Sequence, residues 1–108
     1  AFVLNGEQGP GYDVPDWEAC CSAAQVAVLH LLVVAPAARH QGVGMRLLNA
    51  AVVEACRRGD MSLRLDVFSN NGPGIALYRS FGFIDHGEFT PTYDGLGPVN
   101  VHLMEYVL

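Results

Sequence analysis

Arg39-His40-Gln41-Gly42-Val43-Gly44 sits between an apolar run, Val26 to Val34, and a stretch whose apolar residues recur every three to four positions. That order reads as a strand buried on both faces, a glycine-rich turn and a helix. Glycines at 42 and 44 let the backbone of the turn approach a ligand closely. N–H groups of the helix's first turn then point at that ligand, and the helix dipole favours an anion there. The segment from Val34 to Met45 is therefore a candidate cradle for a phosphate or pyrophosphate. Taken alone, Gly-x-Gly is equally an ordinary strand-to-helix turn. A second block downstream, Asn71, Tyr78, Gly82 and Phe83, tips the reading toward the cradle.

Outward from this turn the elements follow in order. Pro36 ends the apolar strand. Gly42 to Arg58 is an amphipathic helix, with Val43, Leu47, Ala51 and Ala55 in one row and Gly44, Leu48, Val52 and Cys56 in the next. Gly59 falls where a left-handed cap is expected. Ser62 to Phe68 sets Leu63, Leu65 and Val67 against Arg64, Asp66 and Phe68, the alternation of a strand. Asn71 is placed to cap a second helix, with Pro73 early in it, Gly74, Leu77, Tyr78 and Phe81 on one face, and Gly82 as its stop. Phe83 to Phe89 reads as a strand broken at Gly87, Pro91 to Pro98 as a turn-rich connection, and Val99 to Leu108 as the last strand, with Val99, Val101, Leu103 and Val107 on one side. Toward the N-terminus, Ala1 to Leu4 is a short strand. Residues 5–24 form a long loop rich in glycine, proline and acid, with Tyr12 and Trp17 as packing anchors. The result is one α/β domain, β–loop–β–α–β–α–β–β, whose crossover helices are expected to join parallel strands.

Bulk composition excludes several classes. The 108 residues are 51% hydrophobic and 16% charged, which specifies one globular core. A net charge of −5 argues against nucleic acid and anionic membrane as partners. All basic residues are arginine, so neither a Schiff-base lysine nor a Walker lysine is available. The longest apolar run is too short to span a bilayer. Cys20, Cys21 and Cys56 lack metal-site spacing; with no secretory leader pattern, they point to reduced thiols in the cytoplasm.

The strand, the Arg-x-Gln-Gly-x-Gly turn into a helix, and then Asn71 followed by Leu77-Tyr78-Arg79-Ser80-Phe81-Gly82-Phe83 resemble the Gcn5-related N-acetyltransferase (GNAT) superfamily. The resemblance runs from Val26 to Leu108. Bacterial enzymes that acetylate protein N-termini are similar in the Gly74–Phe83 stretch and around Pro91 to Gly95. It implies a GNAT-like mixed sheet and transfer of acetyl from acetyl-CoA to a primary amine, on a small molecule or a protein N-terminus, by direct attack in a ternary complex. Leu32, Val33 and Val34 would meet the acetyl and pantetheine groups through their backbone. Arg39, His40, Gln41, Gly42, Val43 and Gly44 would hold the pyrophosphate, and Asn71 the CoA arm. Tyr78 would protonate the leaving thiolate. Asp66 stands where some members carry a catalytic Glu. No metal is implied. The family's first strand and first two helices have no counterpart here, Gly74 replaces a usual alanine, and Asp66 is one methylene shorter than Glu.

Each site residue also has a plainer reading. Tyr78 lies on the apolar helix face and reads as a core tyrosine by periodicity alone. Asp66 reads as a carboxylate paired with Arg64, and Asn71 as a helix cap. His30 could face the cleft as a base, but a buried, satisfied histidine is the better expectation. Glu7, Asp13, Asp16 and Glu18 could attract a cationic amine or simply be solvated. The alternative function is a non-catalytic acyl-CoA-binding or sensor module. A nucleotide site is disfavoured, because Leu47 breaks Gly-x-Gly-x-x-Gly. The edge strand at Ala1–Leu4 calls for upstream strands or a covering partner, such as a second copy in a homodimer.

Overall fold

The computed structural model describes residues 2–19, 21–31 and 42–108. In chain order the elements are β1 (Phe2–Asn5), a short 3-10 turn (Ala23–Gln25), β2 (Val26–Leu31), α1 (Val43–Arg57), β3 (Ser62–Phe68), α2 (Gly72–Phe81), β4 (Ile84–Phe89), β5 (Thr92–Tyr93), β6 (Gly97–Pro98) and β7 (Val101–Val107). The main sheet has the order β1-β2-β3-β7-β4, and β5 and β6 form a separate small hairpin.

Helix boundaries follow local chemistry. Gly42 caps α1 with a φ of 71°, a left-handed conformation that glycine adopts without steric cost. At the other end Gly59 has a φ of 83°, and its N–H bonds the Cys56 carbonyl at 3.0 Å. Asn71 caps α2, its Oδ1 accepting the Gly74 N–H at 3.1 Å, and Gly82 ends the helix at a φ of 118°.

Both crossover helices join strands of the same direction, as expected: β2 and β3 pair in parallel, and α2 brings β4 back in the direction of β3. Among the described residues β1–β2, β3–β7 and β4–β7 are antiparallel, because β7 inserts between β3 and β4 and pairs with both. That places β7 in the sheet's interior and explains why Leu103 and Met104, on opposite faces, are both inaccessible. At Gly87 the register of β4 against β7 shifts, in agreement with the break read there.

Two apolar layers flank the sheet. Leu48, Ala51 and Ala55 of α1, with Ile75 and Tyr78 of α2, pack on Ala27, Leu29, Leu63, Leu65, Val67 and Met104. On the opposite face Tyr12 covers Val26, Val28, Val101 and Leu103, with Trp17 and Tyr93 beside it. The long loop thus covers the face opposite α1 and α2. Burying each Leu or Val side chain contributes about 1.5–3 kcal/mol, so both faces are needed in a chain of this size.

Candidate active site

The β2–β3 ladder runs from Val26 opposite Ser62 to Val28 opposite Arg64. Both strands continue beyond it, β2 to Leu31 and β3 to Phe68. A cleft opens at this divergence, lined by His30 of β2, Asp66 and Phe68 of β3, Asn71 and Tyr78. Strand alternation puts Asp66 on the loop face with Arg64, while Tyr78 belongs to the helix-face core. The cleft therefore joins the two faces of the sheet.

Tyr78 is held firmly. It is 7% exposed and meets Phe83 edge-on at 5.7 Å between ring centroids. Burial, and then the negative charge of Asp66, raise its phenol above the ordinary value, so it remains protonated. The core reading and the cleft reading of Tyr78 both hold.

Asp66 is not partnered as the sequence suggested. Its Oδ2 accepts the Tyr12 hydroxyl at 3.2 Å and the Tyr93 hydroxyl at 3.3 Å. Arg64 instead donates to Ser62 Oγ at 2.9 Å and Gln8 Oε1 at 3.0 Å, and lies over the Trp17 ring at 4.3 Å. Desolvation, followed by the charge of Asp66, pushes Tyr93 up to about 12. The same two causes push the more deeply buried Tyr12 up as well. Both phenols stay protonated and donate to Asp66.

His30 departs from expectation too. It is exposed rather than buried, with Nε2 3.2 Å from Asn5 Oδ1. The side chain shares the parity of Val26 and Val28 and so faces the loop side, at the cleft mouth.

In the glycine turn, Gly42, Val43 and Gly44 are described, whereas Leu32, Val33, Val34, Arg39, His40 and Gln41 lie outside the described residues. The Arg46 N–H closes the first turn of α1 on the Gly42 carbonyl at 3.1 Å, and the three residues between present their N–H groups at the helix start. A Cβ at Gly44 would stand 2.8 Å from Leu77 Cδ2, so this glycine also lets α1 and α2 approach. A helix start of this kind suits the phosphate end of acetyl-CoA. Asn71 uses its Oδ1 as a cap, and a Cβ at position 74 would fall 2.5 Å from its Nδ2; the glycine at 74 therefore makes room for this cap.

A buried network was missed by sequence reasoning. Glu105, wholly inaccessible on β7, accepts the backbone N–H groups of Glu18 at 2.8 Å and Ala19 at 3.1 Å, Ser62 Oγ at 2.8 Å, and pairs with His86 Nε2 at 3.0 Å. These bonds pin the long loop to the sheet. The available signal was a carboxylate in the apolar row of Val101 and Leu103. His102, also without an evident partner in sequence, pairs with Asp85, which Arg79 of α2 joins. Among the described residues no cluster could hold a metal ion, and no helix is long and apolar enough to cross a membrane.

Comparison with known proteins bears on this arrangement directly. The model of the acetyltransferase (GNAT) family matches residues 9–83, most of the chain. The chain belongs to the GNAT family. A curated relative, the [ribosomal protein bS18]-alanine N-acetyltransferase of Escherichia coli K12, is 38% identical over 72 residues, covering 64% of this chain and 49% of its own length. The chain thus spans about half the length of the curated relatives it matches. The crystal structure of the Escherichia coli ribosomal-protein-S18-alanine N-acetyltransferase superposes with a TM-score of 0.61 at 32% identity, over 77% of this chain and 54% of that one. In fold, the GNAT chain also matches yncA of Salmonella typhimurium, solved with its cofactor acetyl-CoA, with a TM-score of 0.69 at 24% identity, over 86% of this chain and 54% of that one.

Proposed function

We propose that this GNAT chain transfers acetyl from acetyl-CoA to a primary amine by direct attack, with no covalent enzyme intermediate. The observation that carries the reading is the cleft between β2 and β3, with a protonated Tyr78 on the helix side and a clasped Asp66 carboxylate on the other. In this reading the thioester occupies the divergence of the strands, supported by the backbone of Leu32, Val33 and Val34. The turn Arg39–Gly44 takes the pyrophosphate, and Asn71 the CoA arm.

Amine chemistry needs three things: a neutral nucleophile, stabilisation of an oxyanion, and a place for charge on the leaving sulfur. Asp66 supplies negative charge where a cationic amine arrives. Tyr78 is a weaker acid than an ordinary phenol, so it steadies the developing thiolate chiefly through its hydrogen bond before the proton moves. The acceptor favoured here is the α-amino group of a protein N-terminus, by analogy with the relative named above. Free thiols at Cys21 and Cys56 fit a reducing cytoplasm.

Calorimetry with acetyl-CoA, followed by acetyl transfer to a peptide beginning with alanine and to a small primary amine, tests this. Saturable binding with turnover of either acceptor supports the reading, and the preferred acceptor identifies the substrate class. Binding without turnover would make the chain a non-catalytic acyl-CoA module. Absence of binding sinks both.

A further inference from the structure

Resting on the acetyltransferase reading, we infer that His30, through its Nδ1, takes the proton from the incoming amine, and that Asp66 does not. Two independent geometries point the same way.

The first concerns the tautomer. Asn5 Oδ1 accepts the Glu7 backbone N–H at 3.0 Å, a bond that identifies it as the carbonyl oxygen rather than the amide nitrogen. It can therefore only accept from His30, whose Nε2 lies 3.2 Å away. Nε2 carries the hydrogen, and in the neutral ring Nδ1 keeps a bare lone pair. The imidazole is held at one end by β1, where Val3 is its ladder partner, and it lines the cleft.

The second concerns the competing carboxylate. Asp66 Oδ2 already accepts two hydroxyls that do not ionise near neutral pH. Those two bonds occupy the lone pairs of that oxygen. Asp66 suits the binding of an ammonium group, whereas His30 suits removal of its proton. The titratable groups sharing the cleft with His30 are Asp66 on β3 and Tyr78 on α2. From β1 the contact is the uncharged Asn5, with the exposed Glu7 following it.

His30 Nδ1 takes one proton from the ammonium group and, being exposed, returns it to solvent. The freed nitrogen lone pair forms the C–N bond, and the C–S bond breaks with its electron pair going to sulfur. The second proton leaving nitrogen restores Tyr78 after its proton passes to the thiolate. The net products are the amide, the CoA thiol and one proton.

The test pairs an NMR readout with kinetics. Long-range 1H–15N correlation on the full chain, with the His30 ring assigned by its loss in His30→Gln, is expected to show the Nε2–H tautomer. Steady-state kinetics with acetyl-CoA and an alanine-initiated peptide are expected to show kcat lowered about 10²–10⁴-fold in His30→Gln. The KM for acetyl-CoA should not change, the acid limb of kcat/KM should disappear, and added imidazole should restore part of the rate. Asp66→Asn should raise the peptide KM and retain the acid limb. An Nδ1–H tautomer, or a His30→Gln variant with parental kcat and acid limb, overturns the assignment. Loss of the limb in Asp66→Asn instead would make Asp66 the base. Failure of the parent chain to turn over the peptide or a small primary amine strikes at the acetyltransferase reading on which the assignment rests, and is separate from the tautomer result.

Discussion

The Tyr93 hydroxyl, carried on the small β5–β6 hairpin, donates to Asp66 Oδ2 at 3.3 Å across 27 residues of chain. Tyr12 reaches the same oxygen from the long loop. Two segments without helix or long strand are thus tied to one carboxylate at the cleft. Tyr93→Phe removes one donor and keeps the ring. We expect the KM for the amine to rise about fivefold, the equivalent of ~1 kcal/mol for one hydrogen bond, with acetyl-CoA affinity unchanged. Steady-state kinetics check this, and an unaltered amine KM would reduce the clasp to a structural role.

Tyr78→Phe separates the hydroxyl from the ring. Packing against Phe83 survives the change, so the denaturation midpoint should move little. Turnover should fall about 100-fold or more if the hydroxyl meets the leaving sulfur. Parental turnover across the whole pH range would transfer that role to water.

Glu105 anchors Glu18 and Ala19 from a fully inaccessible position. Burial alone would raise its carboxyl, but the bonds from Ser62, the two backbone N–H groups and His86 outweigh burial and hold it below the ordinary 4.5. A carboxylate lowered in the folded state adds stability above its unfolded value, and loses that stability as pH falls through the folded value. The chain should therefore weaken in acid below about pH 4.5. Glu105→Gln should cost about 2 kcal/mol near neutrality and flatten this acid dependence. Urea unfolding of both chains at neutral and acid pH measures it; equal slopes with pH would contradict the assignment.

Gly44→Ala tests the contact between helices. Its Cβ would stand 2.8 Å from Leu77 Cδ2, forcing a shift. Overpacking of this kind costs about 1–3 kcal/mol, set against ~1 kcal/mol gained in helix propensity. Leu77→Ala in the same chain removes the obstructing methyl groups. The double variant should be more stable than the sum of the single effects allows, and strict additivity in urea unfolding would show that the two residues do not collide.

Much of this fold was legible along the chain, for reasons that can be named. Helix α1 follows from apolar rows four residues apart, its start from Gly42 and its end from Gly59. Asn71, Pro73 and Gly82 delimit α2, and alternation from Ser62 to Phe68 gives β3 and the face on which Asp66 lies. These signals are local: capping, periodicity and left-handed backbone depend on a few neighbouring residues. The Tyr12 and Trp17 anchors were visible as large aromatics in a polar loop. The GNAT family was legible from the glycine turn and the Asn71–Phe83 block together.

Tertiary structure decided the rest. Parity along β3 and β7 could assign residues to faces, but not which strand would lie beside which; the insertion of β7 between β3 and β4 depends on pairing across the whole sheet. The same limit explains the expectation for Asp66. Arg64 was its neighbour in sequence on the same face, yet Tyr12 and Tyr93 arrive from remote segments. His30 read as a core residue because it interrupts an apolar strand. It is exposed because β2 and β3 diverge there, and divergence is a property of two strands together. Local chemistry determined the elements and their caps. Contacts between distant residues, which no short window of sequence contains, determined the clasp on Asp66, the buried Glu105 anchor and the opening of the cleft.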